Sequence, residues 1–151
     1  MTPVWIKFIP LLFVLEWPVI CLFAAWTSGW RVLAREYRFN ARFEGKCFRF
    51  VTGKMGHANY GGSMTLGVNS EGMLMCVNFF LRLGHPPLFI RWEDLEAKIE
   101  RYFWIERVVF SFKKFPGIRF AISKGLAMKM KDEPGARLLA GLFQISNQEK
   151  S

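Results

Sequence analysis

The residues from Phe8 to Trp26 (FIPLLFVLEWPVICLFAAW) contain one charged side chain, Glu16, and show no alternation of polar with apolar positions. As a helix the run is about 28 Å long, close to the hydrocarbon thickness of a bilayer. Trp5, Trp26 and Trp30 flank it, where amphipathic rings favour the headgroup level. The pattern predicts a single membrane-spanning helix, with residues 1–27 as the anchor. Glu16 is its intramembrane polar residue. A central charge costs about 3 kcal/mol, which the summed Phe, Leu, Ile and Val contributions outweigh and which protonation reduces. Such a carboxylate can mark a partner or a proton path, but with no basic group in the segment the plainer reading is a tolerated acid facing another helix or water. Pro10 and Pro18 interrupt the hydrogen-bond ladder, which membrane helices tolerate. A cleaved signal peptide fits less well, because Phe23 and Ala25 make a poor small-residue cleavage site. A buried core helix would hide more apolar length than a small domain usually holds.

After Ser28-Gly29 the period becomes helical from Trp30 to Phe39. Trp30, Leu33, Ala34 and Tyr37 form an apolar stripe, and Arg31, Arg35, Arg38 and Arg42 recur on another face. With Lys46 these arginines are the candidate contacts to anionic headgroups, each worth about 1 kcal/mol of attraction. The stripe can equally pack on the domain that follows. Residues 28–42 are thus a short basic juxtamembrane helix. Lys7 stands alone before the anchor and five basic residues follow it between Arg31 and Lys46, so the positive-inside rule puts the carboxy-terminal part in the cytoplasm.

From Phe43 the alternation has period two, and residues 43–151 read as one β-rich domain. Cys47–Thr52 predicts a strand with Phe48 and Phe50 on one side, and the glycine-rich stretch Gly53–Gly62 a connection. Ser63–Asn69 predicts a strand with Met64, Leu66 and Val68 inward, and Met73–Phe80 one covered on both faces. Leu88–Trp92 and Ala97–Tyr102 follow, the latter also fitting a helix. Glu106–Phe112 and Ile118–Ile122 complete the set, with Phe115-Pro116-Gly117 as their turn. Ser123 caps a helix to about Lys131, and Asp132-Glu133-Pro134-Gly135 separates it from a last helix carrying Leu138, Leu139, Leu142 and Phe143. The fold class is α+β: a spanning helix, a short basic helix, then a bent antiparallel sheet or open barrel closed by C-terminal helices.

Composition sharpens this in two ways. With 52% hydrophobic and 17% aromatic residues the chain is too apolar for disorder. The formal net charge is +9, of which +3 falls before Phe43 and +6 after it, which fits an anionic surface and, beside an anchor, lipid before nucleic acid. Cys21, Cys47 and Cys76 are odd in number and have no CxxC spacing, which argues against a disulfide scaffold or a zinc site and suits a reducing compartment.

No constellation specifies a reaction. Thr52-Gly53-Lys54-Met55 contains GK, but Met replaces the hydroxyl that would hold magnesium, so a phosphate loop is not indicated. His57 and His85 lie 28 residues apart, with no metal-ligand or base motif around either. Cys76 sits in an apolar strand, and Glu93, Asp94, Glu96 and Glu100 read as a solvated acidic face. No catalytic, metal or cofactor residue is assigned.

Ser28-Gly29-Trp30-Arg31-Val32-Leu33-Ala34 with Tyr37, Tyr60–Val68 (YGGSMTLGV) and His85–Trp92 (HPPLFIRW) together resemble small bacterial membrane-anchored proteins of unknown function. The order of strands ending in a helix is similar to bacterial pleckstrin-homology-like domains, a likeness of fold that transfers no lipid specificity. The expectation is a non-catalytic, single-pass protein of the inner (cytoplasmic) membrane. Its domain would bind anionic lipid headgroups or a protein partner, with nucleic acid disfavoured. The alternatives are a small enzyme with a pocket near Gly53–Gly62 and His57 or His85, and an accessory subunit of a membrane complex.

Overall fold

A computed structural model describes residues 3–133 and 135–149. After a short 3-10 turn (Val4–Phe8), helix α1 (Ile9–Thr27) is one apolar rod. Val4–Thr27 is long and apolar enough to cross a membrane. Only Cys21 and Ala25 of α1 are buried, while Phe13, Val14, Leu15, Val19 and Phe23 all stand exposed. So continuous an exposed apolar surface marks a membrane or protein contact.

Gly29, at φ +81°, makes the sharp break into α2 (Trp30–Tyr37), and a Cβ there would lie 2.7 Å from Ile118. The apolar stripe of α2 is the face that enters the core: Trp30 and Leu33 are fully buried and Tyr37 nearly so. Its arginines, Arg31 and Arg35, point outward, but the helix ends at Tyr37, so Arg38 and Arg42 lie beyond it and do not extend a helical face as expected.

Seven antiparallel strands follow, curled into a half-barrel. They are β1 (Lys46–Met55), β2 (Ala58–Val68), β3 (Gly72–Val77), β4 (Leu88–Arg91), β5 (Leu95–Tyr102), β6 (Ile105–Phe112) and β7 (Phe115–Ser123), in the order β4-β3-β2-β1-β7-β6-β5. Alternation dictates the core where the sequence shows it. Met64, Leu66 and Val68 of β2 and Val108, Phe110 and Phe112 of β6 all point inward. Two amphipathic helices, α3 (Lys124–Lys131) and α4 (Arg137–Gln148), cover the remaining apolar side through Ala127, Met130, Leu139 and Phe143. Ser123 caps α3 as expected, its Oγ accepting from the Leu126 N–H at 3.3 Å. Pro134, part of the expected break before α4, lies outside the described residues.

Four local expectations are corrected. Gly53–Gly62 is no open connection: β1 and β2 run through it and meet at a two-residue turn, Gly56-His57. Glycine hides the alternation there because the partner fills its place, a Cβ on Gly53 meeting the Phe120 ring at 2.6 Å. Phe50 does not share the inward side with Phe48, because a register shift between Phe48 and Val51 throws it outward, 80% exposed at φ +56°. Finally, β3 stops at Val77; Phe79–Leu81 is a 3-10 turn, and Phe115-Pro116-Gly117 opens β7 instead of preceding it.

Candidate functional site

The chain joins α1 to the sheet through a buried polar cluster. Tyr60 Oη lies 2.7 Å from His85 Nε2 and 3.1 Å from Ser28 Oγ, and the Trp30 amide donates to Ser28 Oγ at 3.3 Å. The Trp30 indole donates to the Pro86 carbonyl at 2.9 Å and stacks edge-on with His85, centroids 5.1 Å apart. His85 Nδ1 is 3.2 Å from the Leu83 carbonyl, so a neutral ring with its proton on Nδ1 donates there and leaves Nε2 facing the Tyr60 hydroxyl. Burial pushes the His85 pKa down, against the opposing pull of the Leu83 and Leu81 carbonyls, and pushes the Tyr60 phenol up. Both groups are therefore neutral near pH 7 and pin the end of α1 to β2 and to the loop before β4.

That pin gives a pH signature. A histidine whose folded pKa lies below its unfolded value of about 6.5 leaves stability intact above 6.5 and removes it as pH falls toward the folded pKa. The thermal midpoint in detergent should hold steady from pH 8 to about 6.5 and decline below it. His85→Gln should lower the midpoint and flatten the decline, whereas His57→Gln, in an exposed turn, should keep it.

Beyond the pin, α1 leans on the domain. Trp17 Nε1 donates to the Phe80 carbonyl at 2.8 Å, Cys21 Sγ to the same oxygen at 3.6 Å, and Gly84 (φ +78°) lets the loop pass close to Leu22 and Ala25. Between α1 and β2 lies an apolar groove of about 770 Å³, walled by Phe13, Val14, Trp17, Pro18, Phe80 and Leu81, with Asn59, Ser63 and Asn78 on its polar side. Glu16 is exposed on α1.

A second cleft, of about 570 Å³, opens on the outer face of β1, β6 and β7. Arg49, Lys54, Arg107 and Lys129 line it, with Phe50 and Ile105 among its apolar residues. Asn59 borders both cavities. Arg31, Arg35, Arg38, Arg42 and Lys46, the cations expected to meet headgroups, are all exposed but line neither cavity. On the domain, charge is partly neutralised: Glu100 pairs with Lys98 (3.0 Å) and Arg119, and Lys124 with Glu106. Those cations hold the Glu100 carboxyl below its usual range, Lys98 most strongly.

The two histidines are not brought together. His57 lines an outer cavity with Lys54, Glu100 and Arg119, whereas His85 is buried behind Tyr60. Among the described residues no three His, Cys, Asp or Glu side chains group as metal ligands. Burial raises the Cys76 thiol, which disfavours the nucleophilic thiolate. Sequence reasoning missed the Ser28–Tyr60–His85 cluster because 25 residues separate Tyr60 from His85 and no spacing announces it. It also missed the exposed aromatic tip at residues 102–105, which a Phe-Trp pair between two charged strands could have signalled. Comparison of the chain with protein-family models, with curated proteins and with solved structures finds no match in any of the three.

Proposed function

We propose that this chain is a single-pass membrane protein whose β-rich domain holds an anionic membrane surface without carrying out chemistry. The supporting observation is α1 itself: a rod of exposed apolar side chains tied to a basic domain by the Trp17–Phe80 bond and, at its end, by the buried Ser28–Tyr60 contact. Arg31, Arg35, Arg38, Arg42 and Lys46 supply attraction from the α2 side, and Arg49, Lys54, Arg107 and Lys129 from the outer cleft. The charge bias around α1 supports a cytoplasmic domain, and the half-barrel closed by helices supports reading its form as pleckstrin-homology-like. No family is claimed on that likeness.

The test uses the full chain in phosphatidylcholine vesicles with a dansyl tracer on either phosphatidylglycerol or phosphatidylcholine. Tryptophan-to-dansyl transfer should be greater for the anionic tracer. The excess should shrink in Arg31→Glu/Arg35→Glu and in Arg49→Glu/Lys54→Glu, and in about 1 M salt, where the screening length falls to about 3 Å. Equal transfer to both tracers contradicts the reading.

A further inference from the structure

We infer that the domain is itself partly immersed: the loop Phe79–Leu83 and the β5–β6 tip Tyr102–Ile105 enter the same leaflet that α1 crosses. This rests on the membrane reading of α1. At the tip, Tyr102, Phe103, Trp104 and Ile105 are 67, 74, 87 and 56% exposed, four large apolar side chains in succession with nothing of this chain over them. Arg101 precedes them, and Glu106 and then Arg107 follow, so a cation stands on each side of the aromatic wedge near headgroup level. Phe79 and Phe80 are likewise 78 and 70% exposed.

What commits these patches to lipid is their continuity with α1. The Phe80 carbonyl accepts from the Trp17 indole, and Trp17 stands ten residues before the end of α1, about 15 Å along its axis. If α1 is in a bilayer, the loop bonded to its middle is at bilayer depth too. From that loop a series of contacts leads across β2 and β1 to the tip. The groove wall joins Phe80 to Gly61 and Ser63, Gly62 donates its N–H to Thr52 Oγ at 2.9 Å across the bulge that exposes Phe50, and Phe50 shares a cleft with Ile105 of the tip.

Backbone strain points to the same two places. Among the described residues the only non-glycine positions with positive φ are Phe50 (+56°) and Phe103 (+54°), each carrying an exposed phenyl ring. A left-handed phenylalanine is costly, and folding gains nothing from rings left in water. Immersion gives both rings an apolar solvent, and it presses the cations of the outer cleft against the headgroups.

The experiment places a polarity-sensitive fluorophore at one site at a time in the full chain, with Cys21→Ala, Cys47→Ser and Cys76→Ala as background. The sites are Phe80→Cys, Phe103→Cys, Val14→Cys on the anchor and Lys113→Cys at the opposite β-turn, all exposed. The vesicles are phosphatidylcholine with phosphatidylglycerol. Expected are a blue shift, quenching by spin-labelled lipid and shielding from aqueous iodide at positions 80, 103 and 14, with position 113 in water. Water exposure at position 80 or 103 while position 14 is in lipid overturns the immersion and leaves the anchor standing. Water exposure at 14, 80 and 103 overturns both.

Discussion

Trp30→Ala should cost about 3–5 kcal/mol, the range for removing a large aromatic from a packed core. Against a total stability of about 5–15 kcal/mol for a typical domain, that leaves a protein near its unfolding threshold. The reason is position. Trp30 is fully buried, its ring centroid is 5.8 Å from that of Tyr60 and 5.1 Å from that of His85, and its indole holds the Pro86 carbonyl. Truncation opens a cavity beside two buried polar rings and removes the carbonyl's donor, so the Tyr60–His85 bond loses its cover as well as its packing. Trp104→Ala is the control. That side chain is 87% exposed, and its loss should change stability by no more than about 0.5 kcal/mol. Denaturant unfolding in detergent, followed by near-ultraviolet circular dichroism, gives both numbers. A loss below about 1 kcal/mol for Trp30→Ala would mean that the junction is not where the anchor and sheet are locked.

How much of this was legible in the sequence depends on whether a residue's role is periodic. The apolar run of α1, the stripe of α2 and the alternation of Val108, Phe110 and Phe112 are local patterns, and each lies where the period put it. The cap at Ser123 is also local chemistry. Gly53–Gly62 was opaque because glycine carries no side chain to alternate; only the fold shows the Phe120 ring occupying the space beside Gly53. Phe50 was misplaced because one register shift turns a side chain to the other face, and no residue in KCFRFVTG marks it. The candidate site splits in the same way. Arg31 and Arg35 on α2 follow from spacing, whereas the outer cleft gathers Arg49, Lys54, Arg107 and Lys129 from three elements, β1, β6 and α3, by tertiary pairing. The expected headgroup contacts and the basic cleft are therefore two separate surfaces, and only one of them could be read from the chain.

The second large effect concerns α1. Leu11 and Leu15 are 54 and 62% exposed on it and wall neither cavity, so arginine at both leaves the domain's packing untouched. Neither lies three or four residues from Glu16, which keeps the carboxylate from neutralising them along the helix. Each central charge costs about 3 kcal/mol of insertion free energy, so Leu11→Arg/Leu15→Arg should lose about 6 kcal/mol, roughly four orders of magnitude in partitioning. Fractionation with an alkaline carbonate wash reads this directly. The unaltered chain should stay with the membrane pellet and the double variant should leave it. Release of the unaltered chain into the carbonate supernatant would contradict the reading of α1 as a membrane anchor, and the account of the domain built on it.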